Sequence, residues 1–346
     1  MSIESIAEGA STFAVPLTMQ FRAAENRRGV VFQGPSGWGE FAPFDNYDDE
    51  IAGRWLAGAL EMAFGSFPAT LRDDVPVNAI IPETDEITAY EIVTKAAKQQ
   101  GISTIKVKVA QPGQNLVDDV ARVRAVRSAL TDAGKTNGFI RIDANAGWTA
   151  NDAMKNISIL DEVANGLEYV EQPCASLEDV TKVRENVDVK IAIDEGIRLA
   201  DDLDILAIQD AADIIIVKAI PLGGVQRALR LIDRIGLPVV VSGSMDTSVG
   251  LSSALFLAGS VPFLYGACGV GTGSLLALDL VAQTPKPVDG ALRVERIVPD
   301  ADCLAIAHAL TTQSDREYWR ERMVRAWYAS AQQLVSPEVK QAVLSW

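Results

Sequence analysis

The chain has 346 residues, 48% hydrophobic and 22% charged, which suits a soluble globular protein with a large core and leaves room for a barrel plus a small appendage. A net charge of −15 argues against nucleic acid or an anionic membrane as partner, so an anionic substrate must be held by local cations, backbone donors or a metal. The single histidine, His308, falls in a C-terminal helical pattern, which excludes histidine-rich zinc sites, Ser-His-Asp triads and histidine bases from the main body.

The opening Met1-Ser2-Ile3-Glu4-Ser5 lacks the basic flank and apolar core of a signal peptide. Three cysteines, Cys174, Cys268 and Cys303, are odd in number and lack metal-ligand spacing, so a reduced, cytoplasmic setting is expected. Nothing in the sequence signals an oligomeric state.

Residues 1–80 read as a small α+β unit. Strand-like runs at 13–17 and 29–33 are separated by turn residues, as antiparallel pairing requires. A Gly- and Pro-punctuated connection at 37–44 leads to a helix over 48–64, with Ile51, Trp55, Ala59 and Met62 at helical spacing. Met19, Phe21, Arg22, Phe44 and Tyr47 fall in stretches able to cover a barrel mouth, although interface packing explains the aromatic and Met side chains equally well.

From residue 75 strands alternate with helices, the pattern of parallel βα units. Strands are expected at 75–81, 104–110, 139–145, 167–172, 190–195, 213–219, 238–242 and 262–267. A helix is expected over 115–130, with Asp118 facing Arg122. Eight strands match a closed α/β barrel, whereas the doubly wound alternative lacks a Gly-x-Gly-x-x-Gly turn. The apolar run 249–265 is too interrupted to span a bilayer and reads as a buried helix leading into a strand. The barrel therefore occupies 81–285. The segment 286–346, with a strand pair at 288–297 and a helix over 315–334, is expected to return to the first unit.

Barrel active sites lie at the carboxyl ends of the strands. Those ends carry Lys106 and Lys108, Asp143 and Asn145, Glu171, Asp194 and Glu195, and Lys218, with intervals of 28, 23 and 24 residues from Asp143 to Glu171 to Asp194 to Lys218. Singly, each has an ordinary explanation as a cap, a turn or a solvated charge. Together, Asp143, Glu171 and Asp194 would raise one another's pKa unless a cation sat among them, and an all-oxygen set favours Mg2+, with Mn2+ as a substitute. Lys108 and Lys218 flank the acids, and a buried lysine with a lowered pKa can act as a base, helped by the like charge of Lys106.

The order Lys-x-Lys, Asp-x-Asn, Glu-Gln-Pro, Asp-Glu and Lys resembles the enolase superfamily, in its muconate-lactonizing-enzyme-like subgroup, over almost the whole chain. That resemblance implies a modified TIM barrel, (β/α)7β, with a capping domain built from the N-terminal part and the C-terminal tail. It further implies Mg2+ on Asp143, Glu171 and Asp194, with Asn145 and Glu195 in supporting positions. Lys108 would then abstract a proton alpha to a carboxylate.

Two stretches, 34–44 and 241–250, resemble dehydrating members of the subgroup. They imply a small cyclohexadiene dicarboxylate as substrate, with Ser242, Gly243 and Ser244 offering small side chains and N–H donors to its succinyl end and Lys218 staying protonated. Racemisation of an N-acylated amino acid and cycloisomerisation use the same lysines and remain open. A dipeptide epimerase would call for Asp-x-Asp where this chain has Gly266-Ala267-Cys268-Gly269. A barrel that binds a metal or ligand without turnover is the non-enzymatic alternative.

Overall fold

The computed structural model describes residues 2–21, 24–198 and 204–346. A short helix α1 (Ile3–Gly9) precedes an antiparallel sheet of β1 (Ser11–Phe21), β2 (Ala24–Gly34) and β3 (Gly37–Phe41). This sheet is covered on both faces: Val30, Phe32 and Phe41 pack on the helix α2 (Asp49–Phe64), while Phe13, Val15 and Val31 meet Val249, Leu280 and Ala307. Burial on both faces explains why the strands read as continuous apolar runs. Asp48 caps α2 by accepting from Ile51 N at 2.8 Å.

Strand β4 (Asp74–Pro76) is followed by the first barrel stave, β5 (Ala79–Ile81). Helix α3 (Glu86–Gln100) and β6 (Thr104–Lys108) come next, then α4 (Leu116–Asp132), β7 (Phe139–Asp143), α5 (Ala150–Ala164) and β8 (Tyr169–Glu171). The series continues with α6 (Leu177–Asn186), β9 (Ile191–Ile193), α7 (Glu195–Arg198), α8 (Ile205–Ala211) and β10 (Ile214–Val217). It finishes with α9 (Val225–Ile235), β11 (Val239–Val241) and α10 (Ser248–Ser260), the expected buried apolar helix. Strands β5 to β11 form one parallel sheet in sequence order.

The eighth stave is reduced to bridges. Leu264 pairs with Val239, Gly269 with Ser242 and Cys268 with Val77, which joins β11 to the β5 side and closes the barrel. Pro262 and the left-handed Gly266 (φ 62°) keep 262–267 from running as the strand its composition suggested. The first expected strand also divides. Residues 74–76 pair antiparallel with β12 (Ala291–Arg293), and only 79–81 enter the barrel. In 288–297, the expected strand pair is one Val288–Ala291 bridge around a turn.

The tail forms α11 (Ala301–Ala309) and α12 (Gln313–Ala326). What looked like a single helix to 334 loosens into a π-turn at Trp327–Ala331 before α13 (Gln332–Leu334) and α14 (Pro337–Ser345). Trp319, Met323 and Trp327 join Trp55 and Leu56 of α2 in one core. Gly53 permits this approach: a Cβ there would lie 2.0 Å from Ser330 Oγ and 2.8 Å from Ala326 O.

Candidate active site

Parallel register sets the site. Lys108 aligns with Asp143 and Asp143 with Glu171, so three charged tips stand at one level on β6, β7 and β8. Asp194 follows β9 and Lys218 follows β10. Strands β6 and β10 are four staves apart in a closed ring of eight, so Lys108 and Lys218 face each other across the mouth.

Lys108 Nζ donates to Asp143 Oδ2 at 2.6 Å and to Asn145 Oδ1 at 2.5 Å. Lys106 Nζ lies 3.0 Å from Glu171 Oε2 and 3.4 Å from Asp143 Oδ2, and Lys218 Nζ lies 2.5 Å from Asp194 Oδ2. Asn145 Nδ2 donates to Glu195 Oε1 at 3.3 Å. All the expected lysines and acids thus converge. Asn145 does so differently from the expectation: β7 ends at Asp143, and Asn145 is left-handed (φ 44°), its N–H donating to Asp143 Oδ1 at 3.0 Å. The stretch is an Asx turn and part of the site at once.

Burial and charge divide the two strand lysines. Burial lowers the Lys108 pKa and the Lys106 ammonium adds to this, against the pull of Asp143. For Lys106 burial acts the same way, but the Glu171 and Asp143 charges outweigh it and raise the pKa. Burial also disfavours the Asp143 carboxylate, yet Lys108 and Lys106 hold its pKa below the usual range. Burial, then the charge of Asp143, pushes Glu171 up to about 7.

The tip of β6 is pinned from behind. Arg122 donates to Lys108 O and to Asp119 Oδ1, each at 2.9 Å, and Asp119 accepts from Ala110 N at 3.0 Å. The partner of Arg122 is therefore Asp119 and not Asp118, because Asp118 completes the capping box with Asn115 at the start of α4.

The all-oxygen donor set of Asp143, Glu171 and Asp194 suits a hard divalent cation. As placed, however, ammonium groups balance these acids, and among the described residues no three acid, His or Cys side chains stand grouped closely enough to hold one. Seating a cation requires Lys106 and Lys218 to withdraw from Glu171 and Asp194.

Ser242, Gly243 and Ser244 line the cavity together with Phe44, Tyr47, Met245 and both catalytic candidates, around about 40 Å³ of space. Their N–H groups are engaged elsewhere: Ser242 N with Val217 O at 2.9 Å, Gly243 N with Gly269 O at 3.0 Å, and Ser244 N with Asp246 Oδ2 at 2.8 Å. Their small size serves the pocket, and the expected N–H donors are spent. Phe44 and Tyr47 reach the mouth; the side chains of Met19 and Phe21, and Arg22 altogether, lie outside the described residues.

Sequence reasoning gave no role to Gln172 or Thr272. Gln172, fully buried and left-handed (φ 42°), accepts from Asp194 N at 3.1 Å and Gly196 N at 3.2 Å, fixing the tip of β9. Its signal was its place between Glu171 and Pro173. Thr272 brings a buried hydroxyl to the cavity wall with no hydrogen-bond partner among the described residues.

Comparison with known proteins agrees with this geometry. The family described as "Enolase C-terminal domain-like" matches residues 89–301, and "Enolase N-terminal domain-like" matches 12–63. The chain belongs to the enolase superfamily. It is 43% identical over 323 residues (93% of this chain, 96% of the relative) to a protein of Mycolicibacterium smegmatis named o-succinylbenzoate synthase. A Thermobifida fusca protein of the same name is 42% identical over 314 residues, covering 91% and 94% of the two chains. Muconate lactonizing enzyme from Pseudomonas putida shares the fold, with a TM-score of 0.71 at 16% identity over 86% of this chain and 98% of the other.

Proposed function

We propose that the protein is an o-succinylbenzoate synthase, a lyase that dehydrates 2-succinyl-6-hydroxy-2,4-cyclohexadiene-1-carboxylate to 2-succinylbenzoate in menaquinone biosynthesis. The observation that carries this reading is the lysine pair facing across three buried carboxylates, in a chain 40–43% identical to proteins of that name. On this reading residues 81–285 form the catalytic barrel, and 1–80 with 286–346 its cap. The setting is cytoplasmic, in keeping with three free cysteines. Among the described residues no helix is long and apolar enough to cross a membrane.

Asp143, Glu171 and Asp194 would hold Mg2+, or Mn2+ in its place. That cation supplies Lewis acidity toward the substrate carboxylate as negative charge develops there. Lys108, with its lowered pKa, takes the proton at C1. The electron pair then forms the ring double bond as the C6 hydroxyl leaves, and Lys108 returns its proton to that oxygen, so the net products are the aromatic acid and one water. Lys218, drawn back from Asp194 and facing Lys108 across the mouth, stabilises the anion from the opposite face. Asn145 and Glu195 hold Lys108 in line.

The test is conversion of the cyclohexadiene substrate, followed by the ultraviolet absorbance of the aromatic product, with and without chelator. Full turnover by Lys108→Ala would sink the mechanism. The opposed lysines also suit a second reading, racemisation of N-succinyl amino acids; deuterium entering both enantiomers without water loss would favour it.

A further inference from the structure

The loop that follows β11 is held from outside the barrel. Glu40, on β3 and 2% exposed, accepts from Thr247 N at 3.1 Å, Thr247 Oγ1 at 2.5 Å and Gly250 N at 2.9 Å. Arg27, on β2 and buried, donates from Nε to Met245 O at 2.9 Å and from Nη2 to Ala42 O, with its guanidinium 4.7 Å from the Phe44 ring. Asp246 ties the loop to itself through Ser244 N. Met245 between them is left-handed at φ 60°, a conformation that needs such restraint.

We propose that Glu40 is a positioning residue for substrate recognition: from the cap, with Arg27, it sets the course of residues 242–247 and so shapes the half of the pocket that receives the substrate's non-reacting carboxylate. This rests on the dehydratase reading above. A buried carboxylate is a costly way merely to attach a cap, since apolar contacts join two surfaces at less expense. What three directed hydrogen bonds add is a fixed loop path. Gly250 is shaped for the arrangement, because a Cβ there would lie 2.8 Å from Glu40 Oε2 and 2.9 Å from Asp246 Cβ. Arg27 also lies against Phe44, so the aromatic wall and the serine loop share one support.

The experiment compares Glu40→Gln with wild type on the cyclohexadiene dicarboxylate and on its ester at the succinyl carboxylate. Expected is a KM about tenfold higher for the dicarboxylate, kcat within about twofold, and an unchanged KM for the ester, which has no carboxylate charge at that end for the loop to receive. A purely structural role would lower the active fraction and leave KM alone. If Glu40→Gln folds poorly, Arg27→Lys keeps the charge but loses the geometry of the bond to Met245 O, and it should show the same KM split. Unchanged KM values, or equal rises for both substrates, overturn the inference while the dehydratase reading stands. A wild-type protein inactive on the dicarboxylate overturns both.

Discussion

At the residue scale, the proposed chemistry rests on two neighbouring lysines being different. Both lie within hydrogen-bond reach of acids: Lys106 reaches Glu171 and Asp143, and Lys108 reaches Asp143 and the Asn145 amide. Lys106→Met should therefore raise the Lys108 pKa, because a like charge is removed, and move the acid limb of the kcat/KM profile to higher pH. Lys108→Ala should lower kcat by about a hundredfold or more and abolish deuterium exchange at the substrate alpha carbon.

Glu40 makes a separate forecast. Burial, with Asp246 beside it, raises its folded pKa to about 7 from the ordinary 4.5. The native state thus binds this proton more tightly than the unfolded chain does. The stability it contributes is complete below pH 4.5 and is lost as pH climbs through 7. Glu40→Gln, which cannot titrate, should flatten the fall of Tm across that window, as thermal scans at stepped pH would show; an identical fall would contradict the assignment.

At the element scale, pattern and punctuation made most of the barrel legible. The Asp, Glu and Lys residues at the strand tips could be read because period-two alternation and βα spacing fix both face and level. Other features escaped for physical reasons. The eighth stave is broken by backbone geometry at Gly266 that composition does not reveal. Gln172 acts through main-chain bonds that depend on its left-handed turn. The N–H groups of Ser242 and Gly243 are consumed by partners distant in sequence, Val217 and Gly269. The tail helix was found but its π-turn was not, since that turn answers to contact with α2 and Ser330 donates to Glu50 O there at 2.7 Å. Gly53→Ala should force that contact apart and cost roughly 1–3 kcal/mol, read as a lower denaturant midpoint with an unchanged m-value.

At the scale of the whole molecule, a protein of net charge −15 sets three ammonium groups against three buried carboxylates at one mouth. If Mg2+ binds the three acids, it should stabilise the native state by mass action, by about 2.7 kcal/mol at a hundredfold excess over Kd. Calorimetry should find that heat of binding in the wild type and lose it in Asp194→Asn. A Tm indifferent to Mg2+ would argue that the lysines keep their acids.

The tail that packs against α2 also sets an order of events during synthesis. Every barrel stave, including the bridging segment at 264–269, precedes residue 270, whereas Trp319, Met323 and Trp327 emerge some fifty residues later. A nascent chain can therefore close its ring of strands while α2 still shows bare apolar surface. The roof over the lysines is finished last, and a ribosome stalled before residue 313 would display an assembled floor beneath an unfinished, chaperone-accessible lid.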